Sequence, residues 1–98
     1  MIYEIATIEV APGREDDFVA GVRAARLLFE AAAGFRSLGL QRSLERPSCY
    51  RLVVGWETVE HHIVDFRNSP AFQRWRELVG PCFAAPPIVE HVADIHLG

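Results

Sequence analysis

The hydrophobic periodicity of this 98-residue chain changes along its length between the two-residue repeat of strands and the repeat of about 3.6 residues that marks helices. The pattern predicts strands over residues 2–10, 36–45, 49–57 and 88–96, and a long helix over residues 14–33. A second helical region, broken by Asn-Ser-Pro, separates the last two strands. This order, β-α-β-β-α-β, predicts an α+β ferredoxin-like fold with a four-stranded antiparallel sheet and its helices on one face.

Apolar side chains occupy both faces of the first predicted strand. Alternation places Ala6 and Ile8 on one face and Tyr3 and Ile5 on the other. The helices of the predicted fold cover only one of these faces, and 50% of the residues are hydrophobic, which is a large share for so short a chain. We therefore expect a homodimer in which two sheets pack face to face and bury Tyr3 and Ile5.

Composition indicates a single domain, residues 1–98, and argues against several classes of function. The formal net charge of -3 and the lack of a basic cluster argue against nucleic-acid binding. All ten basic residues are arginines, so no lysine is available for a Schiff base. No apolar run reaches the ~20 residues of a membrane helix, and the amino terminus does not resemble a signal peptide. We expect a cytoplasmic protein without a membrane partner.

Cysteine and histidine spacing does not predict a metal site. Cys49 and Cys82 lack the CxxC spacing of thiolate sites, and we expect both to be buried free thiols. His61 and His62 are adjacent on a predicted helix, where side chains one residue apart diverge by about 100°. The sequence therefore predicts neither a bound metal nor a disulfide.

Capping residues divide the second helical region into two helices. Thr58 begins a short helix whose periodicity predicts an inner face made of Val59, His62, Ile63 and Phe66. Ser69 caps the next helix, with Pro70 at its first position. The inner face of this helix is predicted to carry Phe72, Trp75, Arg76 and Val79.

Aromatic and polar side chains are predicted to share the space between these helices and the sheet. Small-molecule pockets combine apolar walls with a few polar groups, although ordinary core packing produces the same aromatic pattern. The residues predicted to form such a pocket are Trp56, His62, Phe66, Phe72, Trp75, Arg76 and His91. Buried indole N–H groups need a partner, which favours a pocket that holds water or a ligand.

Four segments of the chain occur together in one known family. They are the first strand ending in VAPGRED, the long amphipathic helix, the hairpin strand ending in GWE, and the segment FRNSPAFQRW. In these segments the chain resembles the antibiotic biosynthesis monooxygenase family. The resemblance implies a dimeric ferredoxin-like α/β barrel with a pocket between the sheet and the helices of each subunit. Some relatives oxidise polycyclic phenols to quinones with O2 and no cofactor, others degrade haem, and others act on or bind signalling molecules.

Several polar pocket residues of that family are replaced in this chain. Members of the haem-degrading branch carry an Asn on the first strand and a His on the helix after the serine turn, where this chain has Ala6 and Arg76. Many members have a His just before the Arg-Asn-Ser turn, where this chain has Phe66. The resemblance thus implies no haem ligand at these positions, and His62, one turn before Phe66, becomes the substitute for the missing histidine.

The sequence favours a monooxygenase that uses O2 and no cofactor to oxidise an electron-rich aromatic molecule, such as a phenol or a hydroquinone. In this interpretation His62 is the general base and Arg76 stabilises the substrate anion. The predicted substrate-binding residues are Trp56, Phe66, Phe72, Trp75 and His91. Two alternatives stay open: a non-catalytic small-molecule-binding or stress-related module on the same scaffold, and a haem-handling protein.

Overall fold

The computed structural model describes residues 1–98 and contains one four-stranded antiparallel sheet packed against helices. The strands are β1 (Ile2–Glu9), β2 (Phe35–Arg42), β3 (Cys49–Trp56) and β4 (Ile88–Val92). The helical elements are α1 (Glu15–Glu30), a π-helix (His61–Phe66), α2 (Pro70–Val79) and a 3-10 turn (Gly80–Cys82). This order confirms the predicted α+β ferredoxin-like arrangement.

Strand β1 is an inner strand of the sheet, whose order is β2-β3-β1-β4. It pairs antiparallel with both neighbours, so Glu4 lies opposite Val54 on β3 and opposite His91 on β4. Glu4 is buried on the same face of β1 as Ala6 and Ile8. An inner strand therefore carries a carboxylate in its core-facing row.

Helix α1 packs its predicted apolar stripe against the sheet. The buried residues of the stripe are Phe18, Val22, Ala25 and Phe29. Gly34 follows the helix with a φ of 78°, in the left-handed region that glycine adopts most readily. A Cβ at Gly34 would meet the ring of His61, so glycine also leaves room for the π-helix to approach.

Strand β4 is shorter than the strand predicted over residues 88–96. It ends at Val92, which pairs with Tyr3 close to the start of β1. The residues beyond Val92 pair with no strand. Ile95 and Leu97 lie in this carboxyl-terminal tail with 79% and 93% of their surface exposed.

The sheet face opposite the helices is uncovered in the single chain. Tyr3 and Ile5 are partly exposed on this face. Their row is extended by Ile88 and Val92 of β4, which pair with β1 and are exposed. This is the face on which the sequence predicts a second subunit.

Both cysteines are buried free thiols, as predicted. Cys49 begins β3, and Cys82 lies in the 3-10 turn. None of the helices is both long enough and apolar enough to cross a membrane.

Candidate functional site

A carboxylate is buried on the inner face of the sheet. Glu4 is only 6% exposed. The Trp56 indole donates a hydrogen bond from Nε1 to Oε1 of Glu4 over 3.1 Å, and Nε2 of His62 lies 3.3 Å from the same oxygen. Because both contacts end on Oε1, the second oxygen, Oε2, remains available to another partner.

His62 connects this carboxylate to a second histidine. It is 2% exposed, and its Nδ1 lies 2.8 Å from Nε2 of His91. The rings of Trp56 and His62 stack, with centroids 5.8 Å apart and an interplanar angle of 14°. Glu4, His62 and His91 therefore form a row of contacting side chains that joins β1, the π-helix and β4, and within it His62 and His91 are hydrogen-bonded.

The π-helix directs His62 towards β1. The backbone N–H of Arg67 donates to the carbonyl of His62 over 3.0 Å, which is the five-residue spacing of a π-turn. Within this wide turn His62 and Phe66 are buried, while Ile63 is exposed. The prediction that Ile63 lies on the inner face is wrong, because it assumed the narrower α-helical turn.

Burial changes the ionisation of both groups. Removal from water raises the pKa of Glu4, an effect that the Trp56 hydrogen bond and the charge of Arg67 partly offset. Burial, the charge of Arg67 and the proximity of His91 lower the pKa of His62 from 6.5 to about 4. His62 is therefore a neutral imidazole at neutral pH, so its 3.3 Å contact with Oε1 of Glu4 is not an ion pair.

A cavity of about 280 Å³ opens beside Glu4 and His62. Its apolar lining consists of Ala6, Ile8, Leu52, Phe72, Trp75, Phe83, Pro87 and Val89. Arg67 and Arg76 also line it. Ligand pockets usually measure roughly 300–1,000 Å³, so this cavity suits a small ligand.

Four residues of the predicted site line this cavity, namely His62, Phe72, Trp75 and Arg76. Arg76 is exposed at the edge of the cavity rather than directed inward as predicted. Its guanidinium carbon lies 5.9 Å from the centre of the Phe72 ring. The charge of Arg76 stays in water while its side chain covers apolar surface, which is the usual arrangement for arginine.

Three residues predicted to contact a ligand lie outside the cavity lining. Trp56 is fully buried and packs against Phe66, with ring centroids 5.4 Å apart. Phe66 stacks on Phe29 of α1 at 4.9 Å. His91 reaches the site only through its contact with His62. These residues belong to the core and the support of the site rather than to its surface.

Two residues that line the cavity, Glu4 and Arg67, were not among the predicted site residues. Glu4 lies between Ile2 and Ala6 in the row of β1 that was predicted to face the core. Charged residues are rarely buried without a partner, so a glutamate in that row is the signal that could have identified it. Arg67 gave no such signal, because its place beside Glu4 depends on the π-turn.

The row of Glu4, His62 and His91 does not form a metal site. No group of three His, Cys, Asp or Glu side chains is arranged to hold an ion. The ring of His62 separates Glu4 from His91 and directs one nitrogen to each. An acid and two imidazoles arranged in a row with such short contacts are instead suited to proton transfer.

A second groove, of about 410 Å³, lies between the end of α1 and the segment that joins the π-helix to α2. Its lining is apolar except for Asp65 and Ser69. It holds no pair of acid and base, so the cavity beside Glu4 is the better candidate for chemistry.

Solved structures similar to this chain share its fold over almost the whole length. A candidate antibiotic biosynthesis monooxygenase from Bordetella bronchiseptica is 57% identical, with 97% of each chain covered and a TM-score of 0.96. A candidate antibiotic biosynthesis monooxygenase from Nitrosomonas europaea is 16% identical, with 98% of this chain and 100% of that chain covered and a TM-score of 0.83. The second likeness shows the shared fold alone.

Comparison of sequences points to the same family as comparison of structures. Uncharacterized protein YczJ of Bacillus subtilis (strain 168) is 32% identical over 95 residues, which are 97% of this chain and 100% of the relative. The sequence profile of the family described as antibiotic biosynthesis monooxygenase matches residues 1–78. The chain therefore belongs to the antibiotic biosynthesis monooxygenase family.

Proposed function

We propose that this protein oxygenates a small, electron-rich aromatic molecule with O2 and without a bound cofactor. One observation carries the proposal: an apolar cavity has a buried, closely spaced acid and base, Glu4 and His62, in its wall. A base in that position can remove a proton from a phenol. The phenolate that forms is electron-rich enough to react with O2. The name of the family to which the chain belongs points to the same class of reaction.

The reaction balances with the substrate and O2 alone. An anthrone-type substrate, which has a phenolic tautomer, carries a ring carbon with two hydrogens in its keto form. Loss of a proton gives an anion that transfers electrons to O2 and forms a carbon–oxygen bond. This oxygen becomes the quinone carbonyl, and the other oxygen leaves as water with the two hydrogens. The substrate supplies all four electrons, so no reductant is needed.

The remaining residues of the cavity bind the ring and stabilise its negative charge. Phe72 and Trp75 offer aromatic surface for the substrate ring. Arg67 and Arg76 place positive charge at the edge of the cavity, where it favours the phenolate over the phenol. The apolar walls keep water from the anion, which strengthens these electrostatic interactions.

We also propose that a second copy of the chain covers the open face of the sheet. Tyr3, Ile5 and Ile88 present apolar surface on that face, and the exposed tail adds Ile95 and Leu97. Packing of two sheets face to face would give the dimeric α/β barrel implied by the family resemblance. A cytoplasmic location is part of this proposal, and the two buried free thiols support it.

Oxygen uptake with a panel of anthrone- and naphthol-type phenols tests the proposed reaction. The wild type is expected to consume O2 with at least one of them and to release the matching quinone. His62→Ala breaks the pair with Glu4 and is expected to lower the rate about 100-fold. His61→Ala is the matched control, because His61 does not line the cavity and contacts Thr58 instead. Absence of uptake with every phenol would refute the reaction.

Binding without catalysis is the second candidate function. One observation favours it: both ring nitrogens of His62 have protein partners, as in a purely structural histidine. The cavity would then bind an aromatic molecule and release it unchanged. Calorimetric binding of a phenol, combined with no O2 uptake, would favour this candidate over the oxygenase.

A further inference from the structure

We propose that Glu4, rather than His62, takes the proton from the substrate, and that His62 and His91 are positioning residues that hold Glu4 in place. The inference deepens the proposed function and rests on it for the phenolic nature of the substrate. It is carried by the row of three side chains, by the place of Glu4 in the cavity wall, and by the free oxygen of Glu4.

Both ring nitrogens of His62 face protein groups. A neutral imidazole has one N–H group and one lone pair. Nε2 of His62 lies 3.3 Å from Oε1 of Glu4, in contact but without the alignment of a hydrogen bond, and Nδ1 is hydrogen-bonded to Nε2 of His91 over 2.8 Å. His62 could act as a base only by giving up the bond to His91 or by turning Nε2 away from Glu4.

Glu4 has the free oxygen that His62 lacks. Trp56 and His62 both contact Oε1, and Glu4 lines the cavity, so Oε2 is the atom that a substrate can reach. Burial raises the pKa of Glu4, which makes its carboxylate a stronger base than an exposed one. The charged and titratable groups around Glu4 are His62 and Arg67 at the π-helix, His91 on β4 and Arg76 on α2.

The transfer breaks one bond and forms one bond. The phenolic O–H bond breaks, its electron pair stays on the substrate oxygen, and the proton bonds to Oε2 of Glu4. Glu4 becomes a neutral carboxylic acid and the substrate becomes a phenolate, so the net charge in the cavity is unchanged. The hydrogen bond to His91 holds the ring of His62 against Oε1 of Glu4, and Trp56 donates to the same oxygen, which leaves Oε2 for the cavity.

The ionisation of a bound phenol tests Glu4 without any turnover. 4-Nitrophenol absorbs at different wavelengths as phenol and as phenolate, so the bound form can be measured at a pH where free nitrophenol is neutral. The wild type and the control His61→Gln are expected to show the phenolate band. Glu4→Gln offers the phenolate the same neutral neighbour as protonated Glu4 but cannot take the proton, so each nitrophenol that it binds as phenolate is expected to release about one proton to the solvent, whereas wild-type binding releases none. Release of a proton on binding to the wild type, or absence of the phenolate band from the wild type, overturns the role of Glu4.

The carboxyl resonance of Glu4, observed by carbon NMR with labelled glutamate, tests the same step in unmodified protein. Binding of 4-nitrophenol is expected to protonate Glu4 and to shift this resonance accordingly. A resonance that stays at the ionised position while nitrophenol binds as phenolate overturns the inference. The measurement decides the question even if Glu4→Gln does not fold.

Titration of the same resonance tests the role of His91. His91→Phe removes the hydrogen-bond partner of His62, whose ring is then free to turn away from Glu4. The proton affinity of Glu4 is expected to rise about tenfold, so the pKa of Glu4 moves upward. His91→Gln retains a donor and should restore most of the wild-type value, and His96→Phe in the exposed tail is the control. An unchanged titration of Glu4 in His91→Phe overturns the positioning role.

Failure of this inference is distinguishable from failure of the proposed function. If the wild type oxidises no phenol but ionises bound nitrophenol through Glu4, the oxygenase proposal fails and the role of Glu4 holds. If the wild type consumes O2 and Glu4→Gln does so at the same rate, oxygenation holds and the role of Glu4 is overturned.

Discussion

Glu4 and His62 are buried side by side, and each depends on a partner from a different strand. Trp56 on β3 donates to Glu4, and His91 on β4 contacts His62. A buried polar group that loses its partner costs about 1–3 kcal/mol. Removal of any one member therefore affects the others, and the geometry of Glu4 is set by the whole row rather than by β1 alone.

His62 is expected to make the protein sensitive to acid. Its pKa is about 4 in the folded protein against 6.5 ordinarily, so between these pH values the unfolded chain binds the proton more readily. The contribution of His62 to stability is complete above pH 6.5 and falls as the pH drops to about 4. The loss is at most about 3 kcal/mol. Urea unfolding at a series of pH values should show a smaller loss in His62→Gln.

In the urea experiment, Glu4 must be unchanged in both proteins that are compared. The raised pKa of Glu4 acts in the opposite direction, because the folded protein then binds a proton more readily than the unfolded chain as the pH falls. The difference between the wild type and His62→Gln isolates the histidine only when Glu4 is present in both. His61→Gln should keep the full acid dependence. Identical pH dependence in the wild type and His62→Gln would contradict the low pKa of His62.

The π-helix is the element on which the site depends most. A helix after Thr58 was predicted from periodicity, but apolar spacing alone does not separate a π-turn from an α-turn over six residues. His62 and Phe66 are four positions apart, and both were correctly predicted to face inward. The hydrogen bond from the N–H of Arg67 to the carbonyl of His62 defines the wider turn, and Ile63 is exposed within it.

Deletion of Val64 is expected to convert the π-turn into an α-turn. Val64 is exposed, so its removal takes little from the core, but it shortens the wide turn by one residue. His62 should then leave the contact with His91, and proton NMR should show its pKa moving from about 4 towards 6.5. Val64→Ala keeps the residue count and should leave this pKa unchanged. A deletion variant that retains the low pKa would show that the π-turn is not what places His62.

Ser69 connects the π-helix to α2 and is expected to stabilise both. Its hydroxyl donates to the carbonyl of Phe66 over 2.6 Å and accepts from the backbone N–H of Phe72 over 3.3 Å. Loss of a capping side chain usually costs about 1 kcal/mol, so Ser69→Ala should lower the free energy of unfolding by about that amount in urea titrations. Gln73→Ala, on the exposed side of α2, should change it by less than about 0.5 kcal/mol. Equal effects of the two substitutions would rule out the cap.

Local patterns predicted the elements, while contacts between distant segments decided the remaining features. The order of strands and the stripe of α1 from Phe18 to Phe29 follow from spacing within each segment. Strand β4 ends at Val92, where its pairing with β1, from the other end of the chain, stops. The importance of Glu4 likewise depends on Trp56 and His62, more than fifty residues away in sequence.

At the scale of the whole molecule, the sheet separates two very different surfaces. One face is sealed by α1, the π-helix and α2 and contains the cavity. The other face has no cover from its own chain, and its edge strand β4 continues into an exposed tail with apolar side chains. Such a surface is typical of a subunit interface.

The oligomeric state is expected to depend on the uncovered face. Sedimentation of the wild type at micromolar concentration should show a dimer, and dilution should lower its thermal stability. Ile5→Asp places a charge in the middle of that face and should give monomers. Leu27→Asp, at an exposed position of α1, is the control and should leave the dimer intact. A wild-type monomer whose stability does not change on dilution would contradict the homodimer.

The stack of Trp56 on His62 supplies the site with its own optical signal. An imidazolium cation in contact with an indole accepts an electron from the excited ring and quenches its fluorescence, whereas a neutral imidazole does so far less. Emission from Trp56 should therefore dim reversibly as the pH approaches about 4, the pKa of His62. Trp75 does not stack on this histidine and contributes a steadier background. The intrinsic fluorescence of Trp56 therefore reports the protonation state of His62 without an added label.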